Sequence, residues 1–178
     1  MSNHINDLKY RYLFNQVGDV PLKNSDAGWA SYQDTQYPDS GTPFTLPANT
    51  DTVVPNNSGN VIDTYKPVDI DDFYNSANQL ISGRAGDSMD LMAYFKAVPS
   101  VTNQWLDVWL DIQGIGEVYR QTFTFPRGSG VERGIMYSLS SLYNLGTWEA
   151  NGAKLYMRSN ASTQIYTINY NFDRTFKG

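Results

Sequence analysis

The chain has 178 residues, of which 40% are hydrophobic, 14% aromatic and only 17% charged, with a net charge of −5 at pH 7. That is enough apolar material for one packed domain plus an extension, while the acidic balance and the lack of basic runs disfavour a nucleic-acid partner, which Lys and Arg must attract by displacing counterions. Cysteine is absent, which excludes disulfides, thiolate nucleophiles and cysteine-held metals, and no stretch approaches the ~18 apolar residues that a membrane span requires.

In chain order, the first segment, Met1-Ser2-Asn3-His4-Ile5-Asn6-Asp7, is polar and lacks the apolar core of a signal peptide, so the sequence predicts a soluble protein made in a cytoplasm. Residues 1 to about 60 hold five of the eight prolines and only short apolar bursts, Tyr10-Arg11-Tyr12-Leu13-Phe14 and Phe44-Thr45-Leu46 among them. Each proline breaks a ladder or confines it to an edge. Residues 1–45 therefore read as an extended arm, followed by one β domain over 46–178. Asn57-Ser58-Gly59-Asn60 and Ser82–Asp87 are turn clusters. Asp69 to Tyr74 is expected to make one helical turn capped by Asp69, with its acids at the positive end of the dipole.

From residue 89 the strand signals become regular. They cover Met89–Val98, Trp105–Ile112, Val118–Phe125 and Arg133–Tyr143, the last with Ile135, Tyr137 and Leu139 on one face. Asn151-Gly152 is a hairpin dipeptide expected to join strands at Thr147–Ala150 and Ala153–Arg158. The final strand, Gln164–Phe172, places Tyr166, Ile168, Tyr170 and Phe172 on one face. Strands at this spacing, with no long helix and no repeat, predict an all-β, antiparallel jelly-roll sandwich.

The run Trp105-Leu106-Asp107-Val108-Trp109-Leu110-Asp111-Ile112 is the sharpest of these signals. Leu106, Val108, Leu110 and Ile112 form the core face, because successive side chains of a strand point to opposite sides. The other face carries two acids and two tryptophans. Indole left in water wastes a large apolar area, so Trp105 and Trp109 are candidate contacts with another sheet, a subunit or a ligand.

Catalysis finds little support. His4 is the only histidine, so one chain cannot build a Ser-His-Asp triad or a histidine metal cluster. Asp107 and Asp111, with the tryptophans, suggest a glycoside-cleaving site, but four residues along a strand span ~13 Å, whereas such carboxylate pairs sit ~5–9.5 Å apart. Asp69, Asp71 and Asp72 lack the glycine and distal Glu of a calcium loop and read as helix-start acids. No enzyme, cofactor or metal is expected. The tyrosine excess, 13 residues, fits core and interface packing, with a sugar-binding surface as the second use.

Residues 45–178 resemble the tumour-necrosis-factor-like jelly rolls that serve as auxiliary virion proteins of tailed phages. The resemblance is carried by Gly86-Asp87 before a strand, the Leu106–Ile112 ladder followed by Gln113-Gly114, Ser138–Tyr143, Trp148 to Tyr156, and Tyr166–Phe172 ending in Asp173-Arg174. Asn6-Asp7-Leu8 is similar to the start of head-associated members. The resemblance implies a homotrimeric capsid decoration, cement or head-fibre protein on the capsid exterior, with the major capsid protein as partner. Tyr10, Tyr12, Leu13 and Phe14 are the expected capsid anchors, since alternate aromatics can dock along a sheet edge. The competing expectation on the same fold is a receptor- or glycan-binding fibre or adhesin module that meets a host surface glycan.

Overall fold

A computed structural model describes residues 26–178, in which almost every element is a strand. In chain order these are β1 (Gly28–Gln33), β2 (Phe44–Leu46), β3 (Thr52–Val53), β4 (Asn60–Ile62), β5 (Tyr74–Asn75), β6 (Leu80–Ile81), β7 (Ser88–Pro99), β8 (Gln104–Ile112), β9 (Gly116–Phe125), β10 (Arg133–Tyr143), a short helix α1 (Gly146–Asn151), β11 (Ala153–Ser159) and β12 (Thr163–Phe176). They form two antiparallel sheets. Sheet A runs β10-β7-β12-β1-β4 with β2 added to β12, and sheet B runs β5-β6-β11-β8-β9 with β3 added to β11. Apart from the consecutive pairs β5–β6 and β8–β9, neighbours in each sheet are distant in sequence, which is the jelly-roll arrangement the strand spacing predicts.

Period-2 alternation builds the core. Leu91, Ala93, Phe95 and Ala97 of β7 and Ile168, Tyr170 and Phe172 of β12 face Leu106, Val108 and Leu110 of β8 and Leu155 and Met157 of β11. All four residues of the predicted β8 core face are buried. Buried tyrosines each need a partner for the hydroxyl, and the loop after β3 and the strand β9 supply carbonyls. Tyr170 Oη donates to the Val54 carbonyl at 3.0 Å, Tyr74 Oη to that of Asn56 at 3.0 Å and Tyr137 Oη to that of Tyr119 at 2.7 Å.

Four expectations are corrected. Residues 28–33 belong to the sandwich and not to an arm: β1 is paired with β12 on one side and β4 on the other, with Ala30 and Tyr32 in the core. The strand is short and flanked by polar and proline-rich stretches, which hid it. The boundary drawn at 45 therefore cuts through sheet A.

Asn151-Gly152 is no hairpin. Residues 146–151 are α1, and Gly152 closes it with φ of 72° and its N–H on the Trp148 carbonyl at 2.7 Å. The same positive φ that suits a tight hairpin also suits a helix C-terminus. What selects the helix is Trp148, whose buried indole donates from Nε1 to the Ile81 carbonyl at 3.1 Å and plugs the end of the sandwich.

Residues 69–73 form a turn and bends, without a helix, and the Asp69 and Asp72 carboxylates that would start one bind Arg174 and Tyr32 instead. Finally, Tyr166 leaves the expected face. A bulge between Tyr166 and Asn169, with Thr167 at φ 55°, puts Ile165 and Ile168 in the core and Tyr166 on the outside of sheet A. An inserted residue reverses the alternation of everything on one side of it.

Candidate subunit interface

The outer faces of the two sheets are chemically different. On sheet B, β8 turns Trp105, Asp107, Trp109 and Asp111 outward beside Tyr156 of β11 and Arg120 of β9. These groups satisfy one another. Trp109 stacks on Tyr156, with centroids 5.7 Å apart and planes at 14°, and the Arg120 guanidinium lies 4.1 Å from the centre of the indole. Arg120 is held in turn by Asp107 and Glu117, and Thr122 Oγ1 donates to Asp107 at 2.6 Å. The carboxylate of Glu117 is drawn below its usual pKa, chiefly by the bond from Arg120.

This arrangement leaves Trp109 only 3% exposed. As a candidate ligand or subunit contact Trp109 is therefore corrected: its partners are in its own chain. Trp105 is half-buried, and its backbone N–H donates to Asn160 Oδ1 at 2.9 Å. Asp107 and Asp111 do not act together, since Asp107 serves Arg120 and Asp111 accepts from Gln113 Nε2 at 3.1 Å.

The outer face of sheet A is uncharged across its centre. Register runs one row of side chains through Ser138, Met92, Asn171, Ser31 and Ile62, and the next through Met136, Tyr94, Asn169, Gln33 and Asn60. Neutral amides and hydroxyls bond between and along these rows: Ser31 Oγ donates to Asn169 Oδ1 at 3.0 Å, and Asn60 Nδ2 to Gln33 Oε1 at 3.1 Å. Between them stand apolar side chains in water, with Met136 53% and Met92 37% exposed. At the edge Trp29 stacks on Tyr65, centroids 5.2 Å apart, and both rings stay exposed. Charge returns in the rows on either side: Asp90 faces Asp173 in one, and beyond the other Lys96 pairs with Glu132 at 2.9 Å and Tyr166 donates to Glu132. Burial, with the neighbouring Glu132 second, pushes the Tyr166 hydroxyl up to about 12. A flat face depleted of charge and carrying Met, Tyr and Trp has the composition of an interface core.

One cleft of about 260 Å³ opens at the end of the sandwich, lined by Asp69, Phe73, Arg84, Asp87, Asn144 and Arg174 among others. Its buried charges are matched with one another. Arg174, buried, reaches Asp87 Oδ2 at 3.0 Å and Asp69 Oδ1 at 2.6 Å, and Asp69 also meets Arg84 and Lys177. The bond from Arg174 is the main cause that holds the Asp69 carboxyl well below the usual carboxylate range. Asp69 and Asp72 thus hold the protein's own cations, and among the described residues no group of three or more His, Cys, Asp and Glu could hold a metal ion. His4 and the expected anchors Tyr10, Tyr12, Leu13 and Phe14 lie outside the described residues. Among the described residues no helix is long and apolar enough to cross a membrane.

The sequence reading missed the sheet A face. The signal was present in the alternation of Met92 and Tyr94 against Leu91, Ala93 and Phe95, but which outward face lacks charge depends on strand pairing.

No protein-family model and no curated protein sequence matches the chain. Among solved structures, the Eiger TNF from S. frugiperda is similar at 7% identity over 86% of this chain and 95% of that one, with a TM-score of 0.55. The PRD1 vertex protein P5 is similar at 13% identity over 86% of this chain and 99% of that one, with a TM-score of 0.45. A chain of the T13 IBDV viral particle is similar at 13% identity over 88% of this chain and 34% of that one, with a TM-score of 0.37. The protein is an antiparallel jelly-roll sandwich, similar in fold to the Eiger TNF. At these identities the likeness is one of fold, and role belongs to sites and not to folds.

Proposed function

We propose that the chain is a non-enzymatic structural protein of a virus particle, associating as a homotrimer through the outer face of sheet A and decorating the capsid exterior of a tailed phage. The observation that carries this reading is the pair of uncharged, partly apolar rows across sheet A, set on a sandwich whose other outer face covers its Trp109 and whose end cleft pairs its buried Arg174. Exposed methionine and aromatic surface of this kind is stabilised by a partner. The virion assignment draws on the resemblance of the Gly86-Asp87, Leu106–Ile112 and Trp148–Tyr156 motifs to auxiliary virion proteins. In this reading residues 1–25 supply the attachment to the major capsid protein, with Tyr10, Tyr12, Leu13 and Phe14 as anchors.

Two measurements test it. Light scattering across a dilution series of the full chain should give a mass three times that of the 20.1 kDa subunit. Met136→Lys with Met92→Lys, which charge the sheet A face without touching the core, should reduce that mass to the monomer's. Particles produced from the encoding genome should contain the chain by mass spectrometry, and a truncation lacking residues 1–25 should stay trimeric yet fail to co-sediment with them. A strictly monomeric full-length chain at micromolar concentration refutes the trimer, and particles that lack the chain refute the virion role.

A further inference from the structure

Asp90 on β7 and Asp173 on β12 are direct register partners on the two central strands of sheet A, in the row next to the uncharged ones. Facing side chains on paired strands have Cβ atoms ~4.5–5.5 Å apart, and like charges there repel. No ion pair among the described residues involves either acid. Asp90 Oδ1 accepts the Ser141 N–H at 2.7 Å.

The elements packed around the pair offer no cation. Trp29 of β1 is the register partner of Asp173, β10 contributes the bulge at Ser140 and Ser141, and along β7 and β12 the neighbours on this face are Ser88, Met92, Asn171 and Thr175. Arg174 is turned inward onto Asp69 and Asp87, and Lys177 is engaged with Asp69 and Asp26. Even in the single chain, burial and then the Asp90 charge raise the Asp173 carboxyl above its ordinary value.

We propose that this carboxylate pair makes association through sheet A proton-linked: a second copy covering the face strips water from both acids, the pair binds one proton, and the trimer tightens as pH falls. The inference rests on the reading of sheet A as the subunit interface. Its sign follows from which state holds more protons. Covering the pair disfavours two ionised carboxylates, so the assembled state binds a proton that the free subunit releases. Association then strengthens on acidification until the free subunit also binds that proton.

The test is the association constant of the full chain between pH 4.5 and pH 8, by sedimentation equilibrium, with urea added where the trimer is too tight to dilute. Circular dichroism follows the fold throughout. The wild type should associate more strongly as pH falls, by up to about tenfold per pH unit for each subunit's proton. Asp173→Asn, which keeps the shape and removes the charge, should associate at pH 7.5 as strongly as the wild type does in acid, with little further pH dependence. Asp111→Asn on sheet B should keep the wild-type profile. A trimer whose strength is independent of pH, or one in which Asp173→Asn retains the wild-type slope, overturns the linkage and leaves the interface standing. A monomer at every pH overturns both.

Discussion

Replacing Arg174 by Met should be among the most damaging changes available in this fold. The guanidinium is 1% exposed, and it binds Asp87 Oδ2 at 3.0 Å, Asp69 Oδ1 at 2.6 Å and, through Nε, the Asp26 carbonyl at 3.2 Å. The two acids differ in what they retain after its removal. Asp69 keeps Lys177 at 3.1 Å and Arg84, and is partly open to water. Asp87, whose side chain is 2% exposed, keeps only neutral partners, among them the Gly178 N–H at 3.1 Å. Removing one member of a buried pair strands the other charge and costs about 3–5 kcal/mol. For a domain of this size that corresponds to a fall in Tm of roughly 6–20 °C at about 2–4 °C per kcal/mol. Urea unfolding at matched protein concentration measures it, with an unchanged slope indicating that the folded state keeps its compactness. Adding Asp87→Asn should recover a large part of the loss, since the stranded charge is what is costly, and the double-mutant cycle should show strong coupling. If Arg174→Met costs less than about 1 kcal/mol, or if Asp87→Asn adds its own full penalty on top, the pair is not the buried ion pair described above.

Leu110→Ala should cost about 2–5 kcal/mol by urea unfolding, because the side chain is fully buried between the sheets, whereas Asp111→Asn next to it should stay within about 0.5 kcal/mol. Trp109→Ala should cost about 3–5 kcal/mol because its ring is covered by Tyr156 and Arg120, and ordering of soluble glycans by this face should be undetectable by titration calorimetry before or after the change. At Gly83 an added Cβ would lie 2.7 Å from the Trp148 ring, so Gly83→Ala should displace the indole, shift the tryptophan fluorescence and cost about 1–3 kcal/mol. The Asp69 carboxyl is depressed in the folded chain, so its contribution is fully present above the ordinary carboxylate pKa of ~3.9 and is lost as pH falls below it. Acid unfolding followed by circular dichroism should therefore be shallower below pH ~4 for Asp69→Asn than for the wild type.

Several features were legible in the residues alone because they depend on local alternation. The four-residue core face of β8 needed only the period of a strand, and the regular spacing of strand and turn signals after residue 89 pointed to a sandwich. The exclusion of thiol chemistry needed only composition. Other features required knowing which distant strand lies alongside. Gly152 has the same positive φ in a hairpin as at the end of α1, and only the cavity that receives Trp148 between the sheets decides for the helix. The bulge at Thr167 moved Tyr166 to the outside, and no period-2 pattern announces an inserted residue. Trp109 looked exposed because Arg120 and Tyr156, which cover it, come from two other strands. The uncharged centre of sheet A and the facing pair Asp90 and Asp173 exist only through the β7–β12 register, which joins residues about 80 positions apart. Periodicity along one strand fixes which side chains share a face, whereas pairing across strands decides what that face is made of, because its rows are assembled from segments that no local signal connects.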